Sequence, residues 1–324
     1  MKKLTLALLS LIPLTACAVD TDLDTQTANH VARPAFMVER TIQAGQFNLN
    51  AWERMHERFA PATIYIEGDG TSFKPEPTNT ATGAAKNVAA ATDNVFGENP
   101  TPKTPVALHL ASRDNSKNLA YISRPCQYVK NPEEKGCNAA YWNTRKYSPE
   151  VLMAYDSALN EIAARYNITE FNIVGFGGGA NIAAVLAATR DDIKTLRTVA
   201  GNLSPTFVSN YHQSAALSSD AMLATNYGSK LATIPQHHFI GAADTVIPPG
   251  TYHSYRQALG LSDCINYSVL QDAGHHLGWT QTWPQLLALQ PECAVLHNSP
   301  DLPPAGEFPG NYYKGMRKGA GFSK

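Results

Sequence analysis

The sequence contains little charge and no concentrated run of either sign. Charged residues make up 16% of its 324 positions, and the formal net charge is −1. Because a basic patch is the usual electrostatic signature of a nucleic-acid-binding protein, nucleic acid is not an expected partner. After the N-terminal segment, the sequence also lacks an apolar run of about 20 residues, the length that a membrane-spanning helix needs. We therefore expect no transmembrane helix in the main part of the chain.

The most informative absence is that of a serine at position 177. Apolar residues 171–174 predict a buried strand, residues 180–188 predict a helix, and a glycine-rich turn at 175–179 joins them. Strand, tight turn and helix in this order are typical of the nucleophile elbow G-x-S-x-G, in which the central serine attacks the substrate. Gly177 stands at that central position and has no side-chain oxygen. The sequence therefore predicts a hydrolase-like elbow that cannot form an acyl-enzyme.

Residues 1–16 are expected to be an export signal. A positively charged start precedes a mostly apolar run at 4–14, which is too short to span a bilayer as a stable anchor. Cys17 follows, and the segment resembles bacterial lipoprotein signals, in which this cysteine carries the lipid. The alternative is an ordinary secretory signal with a chance cysteine. Since Ala18 rather than aspartate comes next, the resemblance implies an exported protein held at the outer membrane, on its periplasmic side or surface.

The remaining chain divides into three parts. Residues 17–34 are polar and rich in threonine and aspartate, which predicts a flexible tether. In residues 35–297, strand-like and helix-like segments alternate, which predicts one α/β domain with a doubly wound, mainly parallel sheet. Residues 298–324, rich in proline, glycine and lysine, predict a loose tail. A long segment at 74–97 is either a lid over the site or a surface insertion.

The cysteine count favours disulfides. There are five cysteines, and an even number remains if Cys17 is lipidated. In an oxidising compartment, four cysteines allow three pairing schemes. We expect the most local one, Cys126 with Cys137 and Cys264 with Cys293. The alternative is free, buried thiols.

Two residues after the elbow complete a candidate catalytic set. Asp244 follows one predicted strand and His275 follows the next, and an acid and then a histidine is the order that accompanies this elbow. The ends of parallel strands can bring such residues together above the sheet. His276 is the alternative histidine, and Ser204 is an alternative nucleophile on a later loop.

A second glycine-rich turn is a candidate oxyanion hole. It follows an early predicted strand and contains Gly68, Asp69 and Gly70. Glycines allow a backbone N–H group to approach a reacting oxygen closely. The second donor would be the N–H group of Gly178, which needs no side chain. The alternative is a plain glycine turn.

Five segments together resemble the α/β-hydrolase superfamily, and more narrowly a group of bacterial lipoprotein-like hydrolases. They are the elbow and residues 64–70, 121–128, 198–203 and 272–279. In such relatives the elbow contains a glycine, an aromatic residue, the serine and three glycines, so the glycine at 177 is the departure. The resemblance implies a lipid-anchored protein of ester-hydrolase ancestry with little or no activity. Its expected ligand is a small-molecule ester, with no cofactor and no metal.

Two other functions remain open. Loss of the nucleophile favours a non-catalytic binding or envelope protein on a hydrolase scaffold. Gly175, Gly177 and Ala180 also match the dinucleotide fingerprint G-x-G-x-x-G/A. That fingerprint usually opens its domain, whereas about 140 mature residues precede it here. No acidic residue ends the following strand, so a dinucleotide is the weaker alternative.

Overall fold

The computed structural model describes residues 23–70, 99–129 and 136–293. The expected export signal, the lipidation cysteine, the candidate lid and the C-terminal tail lie outside these residues.

A single twisted sheet forms the centre of the described structure. Its eight described strands are ordered β1-β2-β4-β3-β5-β6-β7-β8. The strands are β1 (Val38–Ala44), β2 (Phe47–Met55), β3 (Ala62–Ile66), β4 (Asn118–Ile122), β5 (Phe171–Phe176), β6 (Ile193–Val199), β7 (Gln236–Gly241) and β8 (Ile265–Leu270). β2 pairs antiparallel with both β1 and β4, and all other neighbours pair in parallel. This confirms the predicted doubly wound, mainly parallel sheet.

Helices cover both faces of the sheet. They are α1 (Leu23–Ala32), α2 (Val106–Ala111), α3 (Pro149–Tyr166), α4 (Gly179–Thr189), α5 (Pro205–His212), α6 (Gly228–Leu231), α7 (Gly250–Leu259) and α8 (Trp283–Leu287). Successive residues of a strand point to opposite faces. In β3, Ile64 packs in one buried cluster with Leu159 of α3, while Tyr65 packs in the other with Trp283 of α8. Burial on both faces explains why these strands are almost continuously apolar.

Helix α4 lies close to the centre of the sheet because its first residues are small. A Cβ added to Gly179 would lie 2.5 Å from the carbonyl oxygens of Ile66 and Glu67 at the end of β3. The glycine therefore lets the start of α4 contact the end of β3 directly. This contact sets the two glycine-rich turns, 67–70 and 175–179, side by side.

The segment expected to be a flexible tether is partly helical. Residues 23–32 form α1, in which Ala28 and Ala32 are fully buried. The side chain of Asn29 accepts a hydrogen bond from Trp52 Nε1 at 2.9 Å and donates one to Glu39 at 2.8 Å. The prediction of a tether over 17–34 is therefore wrong for these ten residues. The polar composition concealed contacts with β1 and β2, which hold the helix in place.

The four described cysteines pair as expected from their spacing. Cys126 lies at bonding distance from Cys137, and Cys264 from Cys293, with Cα–Cα distances of 5.6 and 3.8 Å. Among the helices described, none is long and apolar enough to cross a membrane.

Candidate active site

The turn between β5 and α4 has the backbone geometry of a nucleophile elbow. Gly177 adopts a left-handed conformation with φ of +49°. Its N–H group donates to the carbonyl of Val199 at 3.1 Å, and its carbonyl accepts from the N–H group of Asn202 at 2.8 Å. Residues with a side chain rarely adopt this backbone conformation, whereas glycine adopts it without a steric penalty. The turn is therefore fixed, and it holds position 177 at the top of the sheet.

Asp244 and His275 form a hydrogen-bonded pair, which we call the dyad. The distance between His275 Nδ1 and Asp244 Oδ2 is 2.9 Å. The other carboxylate oxygen accepts the N–H groups of Val246 and Ile247 at 2.9 and 2.8 Å. The Asp244 side chain is fully buried, and that of His275 is 10% exposed. Because the carboxylate faces Nδ1, the imidazole is oriented with Nε2 as the proton acceptor.

The dyad faces the elbow. A Cβ added to Gly177 would lie 3.2 Å from Nε2 of His275 and 3.4 Å from Cε1. The imidazole also lies against the ring of Phe176, with centroids 5.0 Å apart. The structure thus brings together three predicted residues from distant parts of the chain: Gly177, Asp244 and His275.

The two alternatives to these residues lie differently. His276 contacts the edge of His275, with ring centroids 4.7 Å apart, and burial lowers its pKa. It lines the cavity but does not bond to Asp244. The hydroxyl of Ser204 lies 2.9 Å from that of Ser254, and Ser204 is not among the residues that line the cavity.

The predicted oxyanion turn is only partly suited to that role. The N–H group of Gly68 donates to Oε1 of Glu67 at 2.9 Å, so this amide is already engaged. Gly70 has φ of +66°, and a side chain there would collide with the carbonyl of Pro100. Gly178 lies beside the first turn of α4, where backbone amides have no intrahelical acceptor, and it lines the cavity. The N–H group of Gly178 therefore stays the predicted donor.

Asp69 anchors this turn through two ion pairs that the sequence did not indicate. Arg124 Nη1 donates to Oδ1 at 2.6 Å, and Lys146 Nζ donates to Oδ2 at 2.8 Å. Burial alone would raise the pKa of Asp69, but the charges of Lys146 and Arg124 outweigh it and lower the pKa to about 2. The carboxylate also lies over Gly178, where a side chain would collide with it. These partners stand 55 and 77 positions away, so no local pattern could have revealed them.

Glu67 is a second carboxyl group that sequence analysis did not assign to the site. It is 1% exposed and lines the cavity. Burial raises its pKa to about 7. Its position directly after a buried strand was the only available signal.

A cavity of about 220 Å³ opens above these groups. Its polar lining includes Glu67, Asp69, Lys146, Asn202 and His275, and its apolar lining includes Pro102, Phe176, Pro205, Val208, Val246 and Ile247. This volume is below the roughly 300–1,000 Å³ usual for drug-sized ligands, so the described site suits a small molecule. Within the described ranges, no group of three or more histidine, cysteine or acidic side chains could hold a metal ion.

Comparison with known proteins identifies the fold. No protein-family model matches the chain, and no curated protein does. A dienelactone hydrolase-like protein of Klebsiella pneumoniae is similar in structure, with 17% identity and a TM-score of 0.50 over 78% of this chain and 96% of that one. An acylaminoacyl peptidase bound to a chloromethyl ketone has 10% identity and a TM-score of 0.50 over 74% of this chain and 37% of its own.

Est1E from Butyrivibrio proteoclasticus has 13% identity and a TM-score of 0.48, over 77% of this chain and 97% of that one. At such low identities, the similarity to the two structures with a TM-score of 0.50 establishes only the fold. The sheet and its flanking helices are those of the α/β-hydrolase type.

Proposed function

We propose that this chain is an α/β-hydrolase-fold protein of ester-hydrolase ancestry that has lost the acyl-enzyme route. In this proposal, it retains at most slow, direct hydrolysis of small esters. The observation that carries it is the position of the dyad: His275 Nε2 lies 3.2 Å from the point where a side chain of residue 177 would begin. A histidine oriented by a buried carboxylate is the arrangement that serine hydrolases use to move a proton.

The proposed reaction uses water as the nucleophile. The water oxygen attacks the ester carbonyl carbon while its proton passes to Nε2 of His275. The N–H group of Gly178 stabilises the negative carbonyl oxygen of the tetrahedral intermediate. The carbon–oxygen bond to the leaving group then breaks, and the alkoxide takes the proton from Nε2. The products are a carboxylic acid and an alcohol, and Asp244 holds the imidazolium throughout.

The expected rate is low because a water is less well positioned than a covalently attached serine. In serine hydrolases that lack a triad member, the oxyanion hole and binding site retain about 10³–10⁴-fold catalysis over water. Gly177 places this chain in the same situation. We expect a rate acceleration over the reaction in water in that range, without a burst of product.

We also propose that lipid on Cys17 holds the protein in the cell envelope, at the outer membrane. The support is the sequence alone: a short apolar run ending in leucine, threonine, alanine and the cysteine. In that compartment, an ester carried by an envelope component would be within reach.

The test is a comparison of the unaltered chain with Gly177→Ser. The unaltered chain should show no burst on p-nitrophenyl acetate and no labelling by a serine-directed phosphonate. Gly177→Ser should gain both, because its hydroxyl would lie beside Nε2. The gain should disappear when His275→Ala is added, and Gly177→Ala, which adds only the Cβ, should remain unlabelled.

A folded but inert Gly177→Ser variant would contradict the proposal. A non-catalytic binding protein would then be the better description, since that outcome means that the dyad no longer serves chemistry. The dinucleotide alternative is not proposed, because β6, the strand that follows the turn, ends at Val199 and not at the acidic residue that binds the ribose in that fingerprint.

A further inference from the structure

A polar cluster that hydrolysis of a simple ester does not require lies at the cavity, and three of its five residues line it. The cluster consists of Asp69, Arg124, Lys146, Tyr147 and Asn202. The ammonium of Lys146 has three N–H donors, and within the described residues one of them bonds to Asp69. Both Lys146 and Asn202 line the cavity. This leaves hydrogen-bonding capacity on the side of the cavity next to the elbow.

Asn202 is the most informative member of the cluster. It is 2% exposed, and its backbone N–H group bonds to the carbonyl of Gly177, so its side chain begins beside the elbow. Its Oδ1 atom has no hydrogen-bond partner. Burial raises the pKa of the Tyr147 hydroxyl, and side-chain hydrogen bonding with Arg124 and Asn202 acts against that rise, so these three polar groups lie together. Buried polar atoms without partners are uncommon, and a ligand that can donate a hydrogen bond would satisfy this one.

The charges around the cavity favour a neutral ligand. Asp69 is shared by Arg124 and Lys146, which leaves one positive charge. Asp244 adds a negative charge behind His275, and Glu67, whose pKa is raised to about 7 by burial, adds between none and one. The sum lies between zero and −1, so the cavity as a whole offers an anionic ligand no net positive charge. A hydroxyl group, which both donates and accepts, matches the cluster better.

The apolar lining suits the other half of an ester. Val208, Val246 and Ile247 line the same cavity, together with Phe176. Since the cavity measures about 220 Å³, a short acyl chain fits this lining better than a long one.

We propose that the site takes a neutral ester of a short acyl chain whose alcohol part carries further hydroxyl groups, such as a singly acylated glycoside. Lys146 and Asn202 bind those hydroxyls, and the apolar lining receives the acyl chain. This inference rests on the proposed ester chemistry and specifies its substrate class.

The experiment uses the Gly177→Ser chain and two esters. One is methyl glucoside acetylated at its primary hydroxyl, and the other is the same compound with its remaining hydroxyls methylated. We expect kcat/KM to be at least about tenfold higher for the hydroxylated ester. Lys146→Met and Asn202→Ala should each lower that ratio about five- to tenfold, as loss of one hydrogen bond implies. Lys194→Met, a matched change at a surface lysine paired with Glu170, should leave the ratio unchanged.

The outcomes separate this inference from the proposed function. Equal rates on the two esters, or a ratio that survives both cluster variants, would overturn the substrate class while leaving ester hydrolysis intact. If Gly177→Ser hydrolyses neither ester, the proposed function fails. Binding of the hydroxylated glucoside to the unaltered chain, measured by titration calorimetry, then decides the inference. Binding weakened by Asn202→Ala supports the hydroxyl site, and no binding at millimolar concentration refutes it.

Discussion

Placing any side chain at position 177 should destabilise the protein, whether or not it restores chemistry. Gly177 has φ of +49°, where an L-residue costs about 1–2 kcal/mol. Its added Cβ would also lie 3.2 Å from Nε2 of His275, closer than ordinary van der Waals contact. The imidazole must then shift by a few tenths of an ångström, against its bond to Asp244. Together we expect Gly177→Ala to lower the free energy of unfolding by about 1–3 kcal/mol.

Urea unfolding and calorimetry would measure this effect. A loss of this size lowers Tm by roughly 2–4 °C per kcal/mol in a domain of this size. Gly45→Ala is the matched control, because Gly45 also has positive φ, +61°, but nothing lies within 4 Å of its added Cβ. The difference between the two variants isolates the contact with His275. Gly177→Ser should lose about as much stability as Gly177→Ala, since both share the Cβ.

Two stability results would contradict this geometry at position 177. If Gly177→Ala is as stable as the unaltered chain, the left-handed turn or its contact with His275 does not exist as described. If it loses no more than Gly45→Ala, the backbone conformation matters but the imidazole does not face position 177. The second result would also remove the main support for the proposed reaction.

Three further predictions concern other parts of the chain. Burial raises the pKa of Glu67 from 4.5 to about 7. The contribution of the protonated Glu67 to the free energy of unfolding is therefore complete below pH 4.5 and is lost as the pH rises through 7. The loss amounts to up to about 3 kcal/mol. Glu67→Gln should remove this loss. In urea unfolding, the free energy of unfolding of Glu67→Gln minus that of the unaltered chain should therefore increase between pH 4.5 and 8. The disulfides close loops with sequence separations of 11 and 29, and removing each should cost about 3 and 4 kcal/mol, respectively. Non-reducing peptide mapping that finds four free thiols would contradict both pairs. Mass spectrometry should find the mature chain beginning at a diacylated Cys17, and Cys17→Ala should release the protein from membranes; an unmodified N-terminus elsewhere would disprove the anchor.

The sequence alone determined the local helices and strands of the fold and indicated which acid and which histidine form the dyad. The predicted strand at 171–174 and the predicted helix at 180–188 lie within β5 (Phe171–Phe176) and α4 (Gly179–Thr189). Apolar spacing records which side of each segment is buried, and that information is local. Asp244 and His275 could be chosen because each follows a strand, and parallel strands end at one edge of the sheet.

Only the tertiary structure decided which polar groups meet in the site. It brought Arg124 and Lys146 into contact with Asp69, from which they are 55 and 77 positions away in the chain. It also placed the carboxyl group of Glu67 where it accepts the N–H group of Gly68. It also placed the first helix against the sheet, where composition had predicted a tether. Charge pairing and burial depend on distances between segments that are remote in the chain. Those distances follow from packing, for which the sequence contains no local periodic signal.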